Sequence, residues 1–111
     1  MTTFLFVYHA PMTHADAAPA DPAEMEAVTN AWMAWAGRVG EGMLDFGTPL
    51  AGGVQVTSDG TTASGRDVAG YSLVEAESMD AALALTQGHP HLAMPGGCSI
   101  EVHESQPVPG S

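Results

Sequence analysis

Tyr71-Ser72-Leu73-Val74-Glu75-Ala76-Glu77-Ser78-Met79-Asp80-Ala81-Ala82 is the stretch on which the fold turns. Residues 71–75 mix aromatic, aliphatic and polar positions in the way a strand does. Ser78 then offers an N-cap to a helix containing Ala81, Ala82, Leu83, Ala84 and Leu85. Gly88 supplies the C-cap and Pro90 enforces the stop. Downstream, Ser99-Ile100-Glu101-Val102-His103 alternates cleanly and predicts the last strand. Upstream, residues 57–68 carry turn residues and little apolar weight, so they predict an exposed excursion. Met43-Leu44-Asp45-Phe46 and Val54-Gln55-Val56, joined through Gly47-Thr48-Pro49 and Gly52-Gly53, read as one broken or kinked strand region.

The long helix is the plainest element. Asp21-Pro22-Ala23-Glu24 combines an N-cap, proline at the first helical position and an acid at the third. Met25, Val28, Trp32, Trp35 and Val39 then recur at spacings of 3, 4, 3 and 4, one apolar helix face, and Gly40 and Gly42 end it. Before a non-periodic loop over 12–20, Phe4-Leu5-Phe6-Val7-Tyr8 reads as a buried strand closed by Pro11. The order is β-α-β-β-α-β, a ferredoxin-like α+β arrangement, in one domain over 1–105 with an extended tail over 106–111 that can reach a partner subunit.

Strand parity predicts two faces. Leu5 and Val7, Ser72 and Val74, and Ile100 and Val102 make an aliphatic set suited to the helices. The other parity holds Phe4, Phe6 and Tyr8 with Tyr71, Leu73 and Glu75 and with Ser99, Glu101 and His103. That second face is too apolar to be left wet, so a homodimer with two sheets face to face is expected.

The chain has 111 residues, 13 Asp and Glu, 2 arginines, no lysine and a formal net charge of -11. So few cations cannot neutralise a phosphate backbone or an anionic lipid surface, so neither nucleic acid nor membrane is an expected partner. A single cysteine, Cys98, excludes an intramolecular disulfide and a multi-cysteine zinc site. No apolar stretch approaches the roughly 20 residues of a membrane span, and the start has no signal-peptide pattern. A cytoplasmic protein is the expectation.

Leu5-Phe6-Val7-Tyr8, Trp32-Met33-Ala34-Trp35, the block Gly70 to Ala82, His89-Pro90-His91-Leu92 and Gly97-Cys98-Ser99-Ile100-Glu101-Val102 together resemble the YCII-related family. The resemblance spans nearly the whole chain and implies a dimeric α+β barrel of unassigned activity. Relatives of that architecture include dehydrochlorinases, lactone isomerases and small monooxygenases. The Asp-Gly-Pro-Phe motif of one large branch is absent; only Asp59-Gly60 stands where it would sit. The founding branch's proposed His and Asp pair falls at Trp32 and at His9 or Ala10, so that pair does not carry over.

His9 ends the first strand on the parity assigned to the helices, where an imidazole could serve as general acid or base. Asp45, between Leu44 and Phe46, could orient it or cap a turn. His89-Pro90-His91 admits a metal reading if His103 or Glu101 converges on it, and a plainer one in which histidine serves the free carbonyls of a helix end. Glu101 and His103 share a strand face with Tyr71 and Glu75 near, where pairing across a two-fold or a polar cavity would satisfy them. Trp32 and Trp35 read as core, with Trp32 also held as a ligand contact because of the family position it occupies. Cys98 reads as inert.

The expectation is an enzyme or accessory protein acting on a small organic molecule, with a pocket between sheet and helices. His9 is the acid/base, with Asp45 and His89 assisting it. Tyr8, Trp32, Tyr71, Glu101 and His103 contact the ligand, and no metal or cofactor is demanded. The alternative is a non-catalytic ligand-binding or structural homodimer. The two differ in one respect: acid/base work needs His9 within reach of another polar side chain or a cavity.

Overall fold

The computed structural model describes residues 1–11, 22–64, 67–93 and 97–107. Strands β1 (Thr2–His9), β2 (Met43–Asp45), β5 (Val68–Ala76) and β6 (Ser99–Glu104) form a four-stranded sheet in the order β2-β5-β1-β6, every pairing antiparallel. Between β2 and β5, β3 (Val54–Thr57) and β4 (Gly60–Ala63) make a separate two-stranded sheet. Helices α1 (Pro22–Val39) and α2 (Met79–Ala84) complete an α+β fold compatible with a ferredoxin-like one.

Local signals act where expected. Pro22 is the first residue of α1, Glu24 lies in its first turn, and the chain turns at Gly40 with φ +67°. The Asp21 cap and the 12–20 loop lie outside the described residues, as do Arg66 and positions 108–111 of the tail. The Ser78 hydroxyl accepts the Ala81 N–H at 3.1 Å, so α2 is capped as its sequence predicts. The C-cap expected at Gly88 is instead Leu85, because α2 stops at Ala84; turns then lead to Gly88, which has φ +68°, and Pro90 opens a 3-10 turn over Pro90–Ala93. Only the C-terminal half of the α1 stripe is used: Trp32, Trp35 and Val39 pack on the core, whereas Met25 and Val28 stay exposed.

The expected single strand region over 43–56 divides in two. Gly47 has φ +78°, and a Cβ there would stand 1.8 Å from the Tyr71 carbonyl oxygen, so the chain leaves the sheet edge tightly against β5. Thr57 and residues 60–63, expected in an irregular excursion, instead pair with Val54–Val56 as a hairpin, exposed as expected.

The parity assigned to β1 is reversed. Phe4 pairs with Val74, Phe6 with Ser72 and Tyr8 with Gly70 on one side; on the other they oppose Glu104, Val102 and Ile100. Residues directly opposite share a sheet face, so Phe4, Phe6 and Tyr8 lie under the helices and are buried. Both parities of β1 are apolar, and the larger one wins. The aromatics pack against Trp32 and Trp35 while Ser72 and Gly70 leave them room, and aromatic burial yields the greater gain. Leu5, Val7 and His9 therefore share the open face with Tyr71, Leu73, Glu75, Glu101 and His103. Leu5, Val7, Tyr71 and Leu73 are only half-buried there. No helix of the described residues is long and apolar enough to cross a membrane.

Candidate functional site

Two polar systems lie on opposite faces of the sheet. The inner one begins with His89, held just past α2 and 1% exposed. Its Nδ1 accepts the His91 backbone N–H at 3.0 Å, which leaves the ring proton on Nε2. Nε2 then donates to the Tyr8 hydroxyl at 3.3 Å, Tyr8 donates to Ser72 Oγ at 2.8 Å, and Ser72 donates to the Phe46 carbonyl at 2.7 Å. Each hydroxyl is used once as acceptor and once as donor, so the chain runs one way and ends on backbone. Rings wall it in: Trp35 stands 4.2 Å and Trp32 4.7 Å from the His89 ring centre.

Burial governs the chemistry of this system. It pushes the Tyr8 hydroxyl up to about 12, only partly offset by the Ser72 hydrogen bond. It pushes His89 down to about 3, with the nearby positive charges of His91 and Arg38 adding to the effect. A histidine that stays neutral and is enclosed by indoles holds the core together and does not exchange protons with a substrate at neutral pH. Arg38 fastens the same region by donating to the Leu85 and Gln87 carbonyls at 3.0 and 2.6 Å, and Trp35 Nε1 donates to Leu85 at 2.8 Å.

The outer system centres on His9, whose side chain is 15% exposed. Nδ1 meets Asp67 Oδ1 at 3.1 Å. Nε2 lies 3.4 Å from Glu101 Oε1, within ion-pair range, yet makes no hydrogen bond and is shielded from solvent. The same Glu101 oxygen is 3.0 Å from His103 Nε2. That hydrogen bond, followed by His9 beside it, holds the Glu101 carboxyl below its ordinary range. An imidazole fixed by a carboxylate at one nitrogen, with its other nitrogen unbonded, is arranged for proton transfer.

The expected site residues are thus divided. His9 faces away from the helices, so the pocket expected between sheet and helices does not contain its ring, and His89 cannot assist it directly. Asp45 gives Oδ1 to the Gly47 N–H at 2.9 Å and Oδ2 to the Tyr71 hydroxyl at 3.4 Å, the turn-capping role rather than the orienting one. Tyr8 and Trp32 belong to the inner system; Tyr71, Glu101 and His103 lie on the open face with His9. The metal reading needs His89 and His91 to converge with Glu101 or His103, and the sheet separates them. No group of three metal-ligating side chains is found among the described residues.

Sequence reasoning misses Asp67 as a site residue. It reads as one acid of a loop, and only the β1–β5 register, which sets His9 opposite Val68, brings it to the imidazole. Ser72 is missed as well; its signal is a hydroxyl at an inward strand position. No protein-family model matches the chain, nor does any curated protein.

Proposed function

We propose that the chain is a YCII-related protein that, as a cytoplasmic homodimer, acts on a small organic molecule by histidine acid/base chemistry on the open sheet face. The supporting observation is the Asp67–His9 pair at 3.1 Å with the second imidazole nitrogen free of hydrogen bonds. His9 accepts and returns the substrate proton through Nε2, Asp67 orients the ring, and Glu101 moves aside toward His103 to admit the substrate. Tyr71, Leu5 and Val7 offer the apolar floor on which a small ring would lie. A single half-buried cysteine suits a reducing compartment.

Proton abstraction is tested without knowing the physiological substrate. The protein is incubated in D2O with a panel of small lactones and 1,3-dicarbonyl compounds, and loss of C–H signal is followed by proton NMR. Exchange above the buffer rate that disappears in His9→Gln supports the reading. Exchange that His9→Gln leaves unchanged, or no exchange with any compound, favours the non-catalytic homodimer, whose open face then serves only as a contact surface.

A further inference from the structure

Ala27, Ala31, Ala34 and Arg38 recur at spacings of 4, 3 and 4 along α1, so they share one stripe, beside the Trp32, Trp35 and Val39 stripe that enters the core. The three alanines are exposed. They line a groove of about 710 Å³ that is bordered also by Gly88, Pro90 and Ala93 after α2. That volume is in the range of small-molecule sites. Among the described lining residues all are apolar except Arg38, which stands at the end of the helix stripe. The groove lies on the helix side of the sheet, whereas His9 is on the open face.

Arg38 is held in place by backbone and keeps donors to spare. Its Nη2 donates to the Leu85 and Gln87 carbonyls at 3.0 and 2.6 Å, which fixes the guanidinium plane. Nη1 lies 3.6 Å from where a Cβ on Gly88 would stand, and neither Nη1 nor Nε has a hydrogen-bond partner among the described residues. The chain has 13 Asp and Glu, yet every ion pair among the described residues uses a histidine and none reaches Arg38. A fixed guanidinium with an unspent edge matches a carboxylate. The net charge of -11 repels anions, and repels them more as their charge grows. One arginine therefore balances a single negative charge and not a phosphate dianion. Apolar walls call for an apolar body, and from Ala27 to Arg38 the stripe runs about 16 Å, the reach of a medium-length acyl chain.

We propose that this groove binds an amphipathic monocarboxylate, its head on Arg38 and its chain along Ala34, Ala31 and Ala27. The site is independent of the acid/base role of His9. In isothermal titration calorimetry of the full chain, decanoate below its critical micelle concentration should bind once per chain. Affinity should rise about fourfold from hexanoate to octanoate, and again to decanoate, each methylene being half covered. Octanol, which keeps the chain and lacks the charge, should bind about tenfold more weakly than octanoate. Arg38→Gln should weaken octanoate by about tenfold. Ala31→Phe, at an exposed helix position, should fill the groove and abolish binding with the circular dichroism spectrum unchanged. Should Arg38→Gln unfold on releasing the Leu85 and Gln87 carbonyls, Ala31→Phe and the octanol comparison decide alone. Octanol bound as tightly as octanoate, or a folded Arg38→Gln that binds octanoate unchanged, overturns the carboxylate. Binding undiminished in Ala31→Phe overturns the groove. No saturable binding of decanoate, whether the groove is closed from within the chain or by a second copy, overturns both.

Discussion

His89 and His9 are the same side chain on two sides of one sheet, in opposite surroundings. The inner imidazole is sealed by Trp32, Trp35 and Tyr8 and uses both nitrogens in hydrogen bonds. The outer one sits among carboxylates and has one nitrogen unbonded. Burial with complete hydrogen bonding makes the inner histidine structural, whereas the outer one keeps a nitrogen that the proposed function uses for proton exchange. Residue type alone does not separate these roles; the face of the sheet does.

The contrast can be broken first at its inner side. His89→Ala should show the largest effect, a loss of about 3 kcal/mol or more by denaturant unfolding. It empties a cavity lined by indoles and leaves the Tyr8 hydroxyl without its donor. Tyr8→Phe should cost about 1–3 kcal/mol, because it strands His89 Nε2–H and takes a donor from Ser72. A loss near zero in either would mean the inner chain is not structural.

The pH dependence sharpens the same contrast. His89 is depressed to about 3 in the fold and titrates near 6.5 when unfolded. The unfolded chain therefore binds the extra proton first, so stability is full above pH 6.5 and falls as pH drops toward 3. Thermal unfolding should show this decline for the wild type, and His89→Gln should flatten it if the variant folds. The smallest effect belongs to the outer side. Asp67→Asn should change stability by about 1 kcal/mol or less, as exposed ion pairs do, while lowering any His9-dependent exchange. An equal loss of stability in Asp67→Asn and Tyr8→Phe would erase the distinction between the two faces.

Elements announced by local chemistry are legible in the amino-acid order alone. Ser78, Pro22 and Gly40 each act on their own neighbours, so a few residues suffice to place those helix ends, whereas α2 stops at Ala84, short of Gly88. The order of the main strands follows from short apolar runs between them. The face of β1 is not legible, because Leu5 and Val7 are as apolar as periodicity requires and the deciding partners, Trp32, Trp35, Ser72 and Gly70, are distant in sequence. That one ambiguity moves His9 across the sheet and with it the whole expected pocket. Asp67 escapes for a related reason: its meeting with His9 exists only in the antiparallel register. Glu101 and His103 are legible as a pair because alternation along a single strand places them together.

One hydrogen bond ties the two faces. His91 Nε2 donates to the carbonyl of His9 at 2.8 Å, from beneath the sheet, while the His9 ring points the other way. The backbone that carries the outer imidazole is thus anchored by the inner cluster. If His9 works as proposed, an alanine scan scored on proton exchange would rank His91 beside His9, because removing His91 slackens the backbone that carries the His9 ring. Mutational importance in this molecule will therefore report leverage as readily as chemistry.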